Sequence, residues 1–217
     1  MSVFMSTIFR IKPGRYADAM VQAARGAQLY ERFGTNRPRL LSAGLAGEAF
    51  GTWTFSVDFE DLESFGTITD QYSADPDSQA YFMQLQEADN PVTLEQLNVG
   101  LEIPVRESKG GRGNVIALYA AKVHPGGLER ALALGVRACD FAEAHGALDA
   151  RMFSLLASGS GTGITTTMFE YEDMRAFTTV IEAFNTEPAG QAIAVEGTAA
   201  DSPVTTVFEA VYNEVPY

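Results

Sequence analysis

The sequence predicts an α+β fold in which one β-α-β-β-α-β unit occurs twice. Three observations carry that prediction. Residues 3–105 align with residues 115–217 at a constant offset of 112 and without a gap, with about 27 identities in about 103 pairs. Within each copy, β-branched and aromatic runs alternate with stretches of helical period. Between the copies lies Ser108-Lys109-Gly110-Gly111-Arg112-Gly113, polar and glycine-rich as a linker would be. The expected division is a first repeat over 1–107, a linker over 108–113 and a second repeat over 114–217.

The elements follow in order. Val3 to Ile11 is β-branched and aromatic and stops at Pro13-Gly14, which predicts a strand; Val115 to Val123 is its counterpart before Pro125-Gly126. A helix is predicted over 15–33, ending at Gly34, with an apolar stripe of Tyr16, Met20, Ala23, Ala27 and Tyr30. The counterpart stripe is Leu128, Leu132, Gly135, Cys139 and Ala142, ending at Gly146, so Cys139 is expected to be a packed thiol. Two strands forming a hairpin come next, over 39–46 and 49–59, matched by 151–158 and 162–171. A second helical region begins with the acids Glu60-Asp61 and Glu172-Asp173, which suit a helix N-terminus. Pro76 and Pro188 interrupt it and can open a new helix. A last strand is predicted over 92–103 and again over 204–215.

This order is the split βαβ arrangement, with both helices on one face of a four-stranded antiparallel sheet. The other face is also apolar in part. Val3, Met5, Phe9 and Ile11 lie on one side of the first strand, and Phe4 and Ile8 on the other. A sheet apolar on both faces needs cover on both, and the sheet of the other repeat is available to cover the second.

Composition narrows the function. The chain has 217 residues and a net charge of −13, spread as −7 over residues 1–108 and −6 over residues 109–217. That excess disfavours nucleic acid and anionic membranes as partners. The single cysteine, the absence of a signal-peptide pattern in residues 1–10 and the lack of a long apolar span predict a cytoplasmic protein. The two histidines, His124 and His145, fall roughly 30 Å apart along one helical pattern, so a shared metal site is not expected.

Two gap-free β-α-β-β-α-β units set sheet to sheet resemble the dimeric α/β-barrel (ferredoxin-like) superfamily, fused in one chain. Antibiotic-biosynthesis-type and heme-degrading monooxygenases, EthD-like and NIPSNAP-like proteins, muconolactone isomerases and chlorite dismutases belong to it. The resemblance rests on element order and duplication and covers the whole chain. It implies a small ligand held between helices and sheet, and a monomer that already contains the interface single-unit relatives make by dimerising. Homodimers through exposed strand edges or helices stay open. It also implies that a tryptophan and polar residues can surround an aromatic substrate, a place Trp53 could fill. The first-strand asparagine of heme-degrading members has no counterpart, Thr7 and Tyr119 falling mid-strand instead. The expectation is therefore a protein without a cofactor, with heme disfavoured.

Other candidates have plainer readings. His145 ends a helix, where the dipole favours a surface imidazole, and His124 stands in a turn. Gly159-Ser160-Gly161-Thr162-Gly163 looks like a phosphate loop but lacks the Lys-Ser/Thr ending, and its counterpart keeps only Gly47 and Gly51. Both read as hairpin turns. Arg39 and Arg151 occupy equivalent strand starts and suit structural ion pairs. Glu95, Glu209, Asn98 and Tyr212 lie on the last strands and could serve a pocket.

Comparison of the two copies suggests where that pocket is. Phe9, Tyr30, Trp53 and Phe55 become Ala121, Ala142, Thr165 and Thr167, while Thr7, Gln96 and Gly100 become Tyr119, Phe208 and Tyr212. Lost volume is refilled or left as a cavity. The second repeat is thus expected to hold the roomier, more polar pocket, lined by Tyr119, Thr165 and Thr167, with Trp53, Asn98 and Tyr212 as further ligand-binding candidates. Two functions fit: a cofactor-independent monooxygenase-like or isomerase-like enzyme on an aromatic or polyketide-like substrate, or a non-catalytic ligand-binding or stress-type protein.

Overall fold

The computed structural model describes residues 1–217, apart from the side chains at positions 36, 37 and 48. The first repeat comprises β1 (Val3–Ile11), α1 (Tyr16–Arg32), β2 (Asn36–Leu45), β3 (Trp53–Phe59), α2 (Leu62–Ala74), α3 (Pro76–Leu85) and β4 (Val92–Glu102). The second comprises β5 (Val115–Val123), α4 (Leu128–Ala144), β6 (Asp149–Ala157), β7 (Thr165–Tyr171), α5 (Met174–Thr186), α6 (Pro188–Thr198) and β8 (Val204–Glu214). Local chemistry accounts for the helix starts. Asp61 and Asp173 accept the backbone N–H of Ser64 and Ala176 at 2.8 Å, and Pro76 and Pro188 open α3 and α6.

All eight strands close into one barrel, in the order β1-β3-β2-β8-β5-β7-β6-β4, every pair antiparallel. The two four-stranded sheets therefore face each other across a lumen and are sewn together at both margins. Leu41 pairs with Glu214 at one join and Phe153 with Glu102 at the other, each residue matching its counterpart across the offset of 112. Closure removes the sheet edges, so of the two expected routes to a dimer, strand edges and helices, the first has no free strand to use. Alternate residues divide cleanly: Val115, Ala117 and Tyr119 of β5 pack with Cys139 and Val180 beneath the helices, while Ile116 and Leu118 pack inside the barrel.

The helix stripes differ from expectation. The buried residues of α1 are Ala19, Gln22, Ala23, Gly26, Ala27 and Leu29, and Tyr16 is 51% exposed. Small residues face the sheet so that the helix can approach it, and the aromatic ones flank it.

The stretch between repeats is tied down. Arg106 donates to the Glu143 carboxylate at 2.8 and 2.7 Å, while the Ser108 hydroxyl and the Lys109 N–H donate to Asp149 at 2.7 and 2.8 Å. A Cβ on Gly113 would lie 1.8 Å from the Tyr171 carbonyl oxygen, and one on Gly111 2.4 Å from that of Leu148. The glycines that read as flexibility in the sequence serve close packing.

Candidate functional site

The larger of two described cavities, about 860 Å³, lies in the first repeat, between α1 to α3 and the helix-facing side of β1, β3 and β4. This corrects the expectation that the second repeat is roomier. In the first repeat the aromatic residues Phe9, Tyr30 and Phe55 line the space instead of filling it. In the second, Phe141 and Phe184 pack at 4.5 Å between their ring centroids, and Tyr119 meets Phe169 edge to face at 5.7 Å. The residue matching Ser78 there is Gly190, where a Cβ would lie 2.6 Å from the Phe184 Cα and 2.9 Å from the Phe141 ring. That glycine lets α6 settle onto α4 and α5. Helix residues such as Phe141 and Phe184, and not strand residues alone, set the volume on this side of the sheet.

Three helices and three strands build the wall of the first-repeat cavity. Tyr30 of α1 stacks on Tyr72 of α2, with centroids 4.5 Å apart and planes within 14°, and lies 6.1 Å from Phe55 of β3. Tyr81 of α3 donates its hydroxyl to the Gln22 carbonyl oxygen at 3.2 Å. Burial pushes the Tyr72 phenol up to about 12 and raises Tyr30 and Tyr81 well above the ordinary phenol range, so all three remain protonated donors at neutral pH. The one charged residue among the described lining is Glu95, which accepts from Arg10 at 2.6 Å. Gln22 is 7% exposed, and its side-chain amide nitrogen has no partner. An unpaired buried donor of this kind costs about 1–3 kcal/mol unless a ligand or solvent atom meets it.

The residues expected to bind ligand are dispersed. Asn98 and Tyr212 border a second cavity, the lumen of the barrel. Trp53 packs edge to face on Tyr16 at 5.7 Å and joins the core under α1. Tyr119, Thr165 and Thr167 lie on the helix side of the second sheet and border neither of the two cavities. Glu95 borders the first-repeat cavity; Glu209 pairs with Tyr119 across β5 and β8 and borders neither. No local pattern marks Gln22, Tyr72 or Tyr81, because their roles depend on which way α1, α2 and α3 face.

The remaining candidates are structural. Gly159 and Gly163 have φ of 53° and 84°, matching Gly47 and Gly51 at 50° and 78°, so the retained glycines are those the hairpin turns require. Arg39 donates to Glu170 at 2.6 Å and to Glu214 at 2.9 Å, and Arg151 approaches Asp149 at 3.5 Å and Asp58 at 3.8 Å. Glu170 and Asp58 are equivalent positions, so the two arginines reach reciprocally from one repeat to the other.

Among the described residues no group of three or more His, Cys, Asp or Glu could hold a metal ion. No helix is long and apolar enough to cross a membrane. A heme would need an axial side chain. The His145 ring nitrogens engage the Phe141 carbonyl at 2.7 Å and Glu187 at 3.0 Å; His124 meets the Thr205 hydroxyl at 2.8 Å. Neither histidine borders a cavity. Cys139 is fully buried and borders neither cavity. Neither imidazole is placed to ligate a heme in either cavity.

No family model matches the chain, and no curated protein matches it in sequence. Its fold has solved counterparts. A candidate monooxygenase from Lactobacillus acidophilus superposes with a TM-score of 0.64 at 12% identity, over 99% of this chain and 93% of the other. One from Fusobacterium nucleatum gives 0.63 at 11%, over 98% and 92%. An anthrone oxidase-like protein gives 0.57 at 13%, over 99% and 91%. Chlorite dismutases, which are heme proteins, also share the fold, and a mutant of one from Candidatus Nitrospira defluvii was solved with cyanide. That finding corrects the expectation of a protein without a cofactor, since the fold gives no ground for one. At these identities the likeness concerns the fold: two ferredoxin-like units closed into a single eight-stranded α/β barrel.

Proposed function

We propose that the protein binds an aromatic, polyketide-like molecule in the helix-covered cavity of the first repeat and oxidises it as a monooxygenase-type enzyme. The binding step rests on one observation above the others: the unpaired Gln22 amide nitrogen in a wall of stacked aromatic rings. Stacked tyrosines suit a flat aromatic body. A ligand carbonyl would supply the acceptor that Gln22 lacks. A largely uncharged wall suits a neutral molecule. Support for the oxidative step comes from the candidate monooxygenases and the anthrone oxidase-like protein that share the fold. Binding without turnover draws on a different feature. The cavity tyrosines are held protonated and Glu95 is paired with Arg10, which leaves the wall without a free base.

Titration with a tricyclic anthrone, followed by protein fluorescence and by oxygen uptake, tests the proposal. The expected result is saturable binding that Gln22→Leu weakens about tenfold, the worth of one hydrogen bond to a buried group. Oxygen uptake dependent on the protein supports the enzyme; saturable binding without it selects the carrier. Equal binding by wild type and Gln22→Leu would remove the site.

A further inference from the structure

The lumen of the barrel is a second cavity, of about 350 Å³, on the opposite face of the sheet from the first. Both repeats build its wall, and no charged residue is among the described lining. The first repeat contributes polar side chains, Ser6, Ser56, Gln96 and Asn98; the second contributes mainly apolar ones, including Ile116, Leu118 and Met168. Part of the polar wall satisfies itself. The Asn98 oxygen accepts from Gln96 at 2.7 Å and from the Ser158 hydroxyl, and its amide nitrogen donates to Ser6 at 3.3 Å.

Two hydroxyls are not satisfied. Thr54 and Thr166 are 7% and 3% exposed, border the lumen, and their side-chain oxygens have no hydrogen-bond partner. The Thr54 hydroxyl lies beside the Tyr212 phenol without meeting hydrogen-bond geometry. The two threonines occupy equivalent positions of the repeats, one on β3 and one on β7. Those strands stand four apart in a ring of eight, on opposite walls. Buried polar groups are nearly always paired. Here two unpaired ones stand at equivalent positions on opposite walls of one cavity. The buried Arg39–Glu170 pair stands at one end of the lumen, where Glu170 follows Thr166 and Met168 in the same row. Gly161 and Ile164, just before β7, also border the lumen.

We infer that the lumen is a binding site for one neutral, single- or double-ringed molecule with a hydrogen-bonding group at each of two opposite ends. Thr54 and Thr166 hold those ends, and the apolar wall of the second repeat packs on the ring. A volume of this size falls at the small end of ligand pockets. A charged ligand is disfavoured, because its charge would be buried without a partner. The site does not depend on the first-repeat cavity or on the reaction proposed there.

Methyl-labelled methionine separates the two cavities in one spectrum, since Met168 borders the lumen and Met83 the helix-covered cavity. The probe is 4-hydroxyacetophenone, with ethylbenzene and 4-hydroxybenzoate as controls lacking the end groups or carrying a charge. The expected result is saturable movement of the Met168 signal by the probe, with either control binding at least about tenfold more weakly. Thr166→Val and Thr54→Val keep the side-chain shape and remove an unpaired hydroxyl, so both variants should fold and melt no lower than wild type. Each should weaken the probe about tenfold, while Gln22→Leu leaves it unchanged. The inference is overturned if the probe moves Met83 and not Met168, if Thr166→Val binds it as wild type does, or if no probe binds and the hydroxyls serve water alone.

Discussion

Cys139 is fully buried on the sheet-facing side of α4. Burial pushes its thiol up to about 12, more than the nearby Arg106 guanidinium draws it down, so almost no thiolate exists at neutral pH. A colorimetric disulfide reagent should therefore leave the native protein untouched at pH 8 and titrate one thiol once it is unfolded in urea. Rapid reaction of the native protein would contradict that account. This residue was legible in the sequence, because its place on a helical stripe depends only on local period. Trp53 was legible as a strand residue, but not as the partner of Tyr16, which comes from another element. Gln22 shows the limit most plainly. A polar residue on an otherwise alanine-rich face reads as solvent-facing, and only the packing of α3 over it makes it a buried donor.

The tie between the repeats and the last helix of the second repeat each carry a prediction at the scale of elements. Glu143 of α4 is buried, which raises its pKa, but hydrogen bonds from Arg106 and Lys109 outweigh that and hold it below the usual carboxylate range. A carboxylate lowered in the folded state contributes stability that is fully present above its unfolded pKa and is lost as pH falls through the folded value. Thermal unfolding from pH 7 down to pH 3 should accordingly show a fall in melting temperature that Glu143→Gln makes shallower. An equal acid slope in the two proteins would show that the ion pair is idle. Helix packing supplies the second case. A methyl at Gly190 meets backbone of α5, which has little room to move, so Gly190→Ala should cost about 1–3 kcal/mol by overpacking. Urea unfolding measures it. The matching residue of the first repeat, Ser78, borders the cavity instead. Element order could be read from period and punctuation alone, but β3 and β7 begin at Trp53 and Thr165, after short 3-10 turns, and not at 49 and 162, and the height at which a helix sits over its sheet depends on single side chains in its neighbours.

Across the whole molecule the duplication predicted two units facing each other, and the barrel realises this by pairing them edge to edge as well. The repeat offset carried that much, because identical β-margins meet twice: Leu41 with Glu214, and Phe153 with Glu102. What no repeat could reveal is which of two equivalent cavities stays open, since that depends on differences between the copies. Arg39 binds the molecule together at one end of the lumen. It is 5% exposed, comes from the first repeat, and is held by Glu170 and Glu214 of the second and by the Gly113 carbonyl of the stretch between them. Removing one carboxylate from such a buried pair leaves charge without a partner and typically costs about 3–5 kcal/mol. Glu170→Ala should therefore destabilise the entire chain, and not the second repeat alone, because neither sheet keeps its margins when the other opens. Two native reporters test this without labels: Trp53 fluorescence for the first repeat and Cys139 accessibility for the second. In wild type the two should change at one urea concentration, and in Glu170→Ala both should shift together to a lower one. A variant in which Cys139 becomes reactive while Trp53 keeps its native emission would mean that the repeats unfold separately and that closure of the barrel does not couple them.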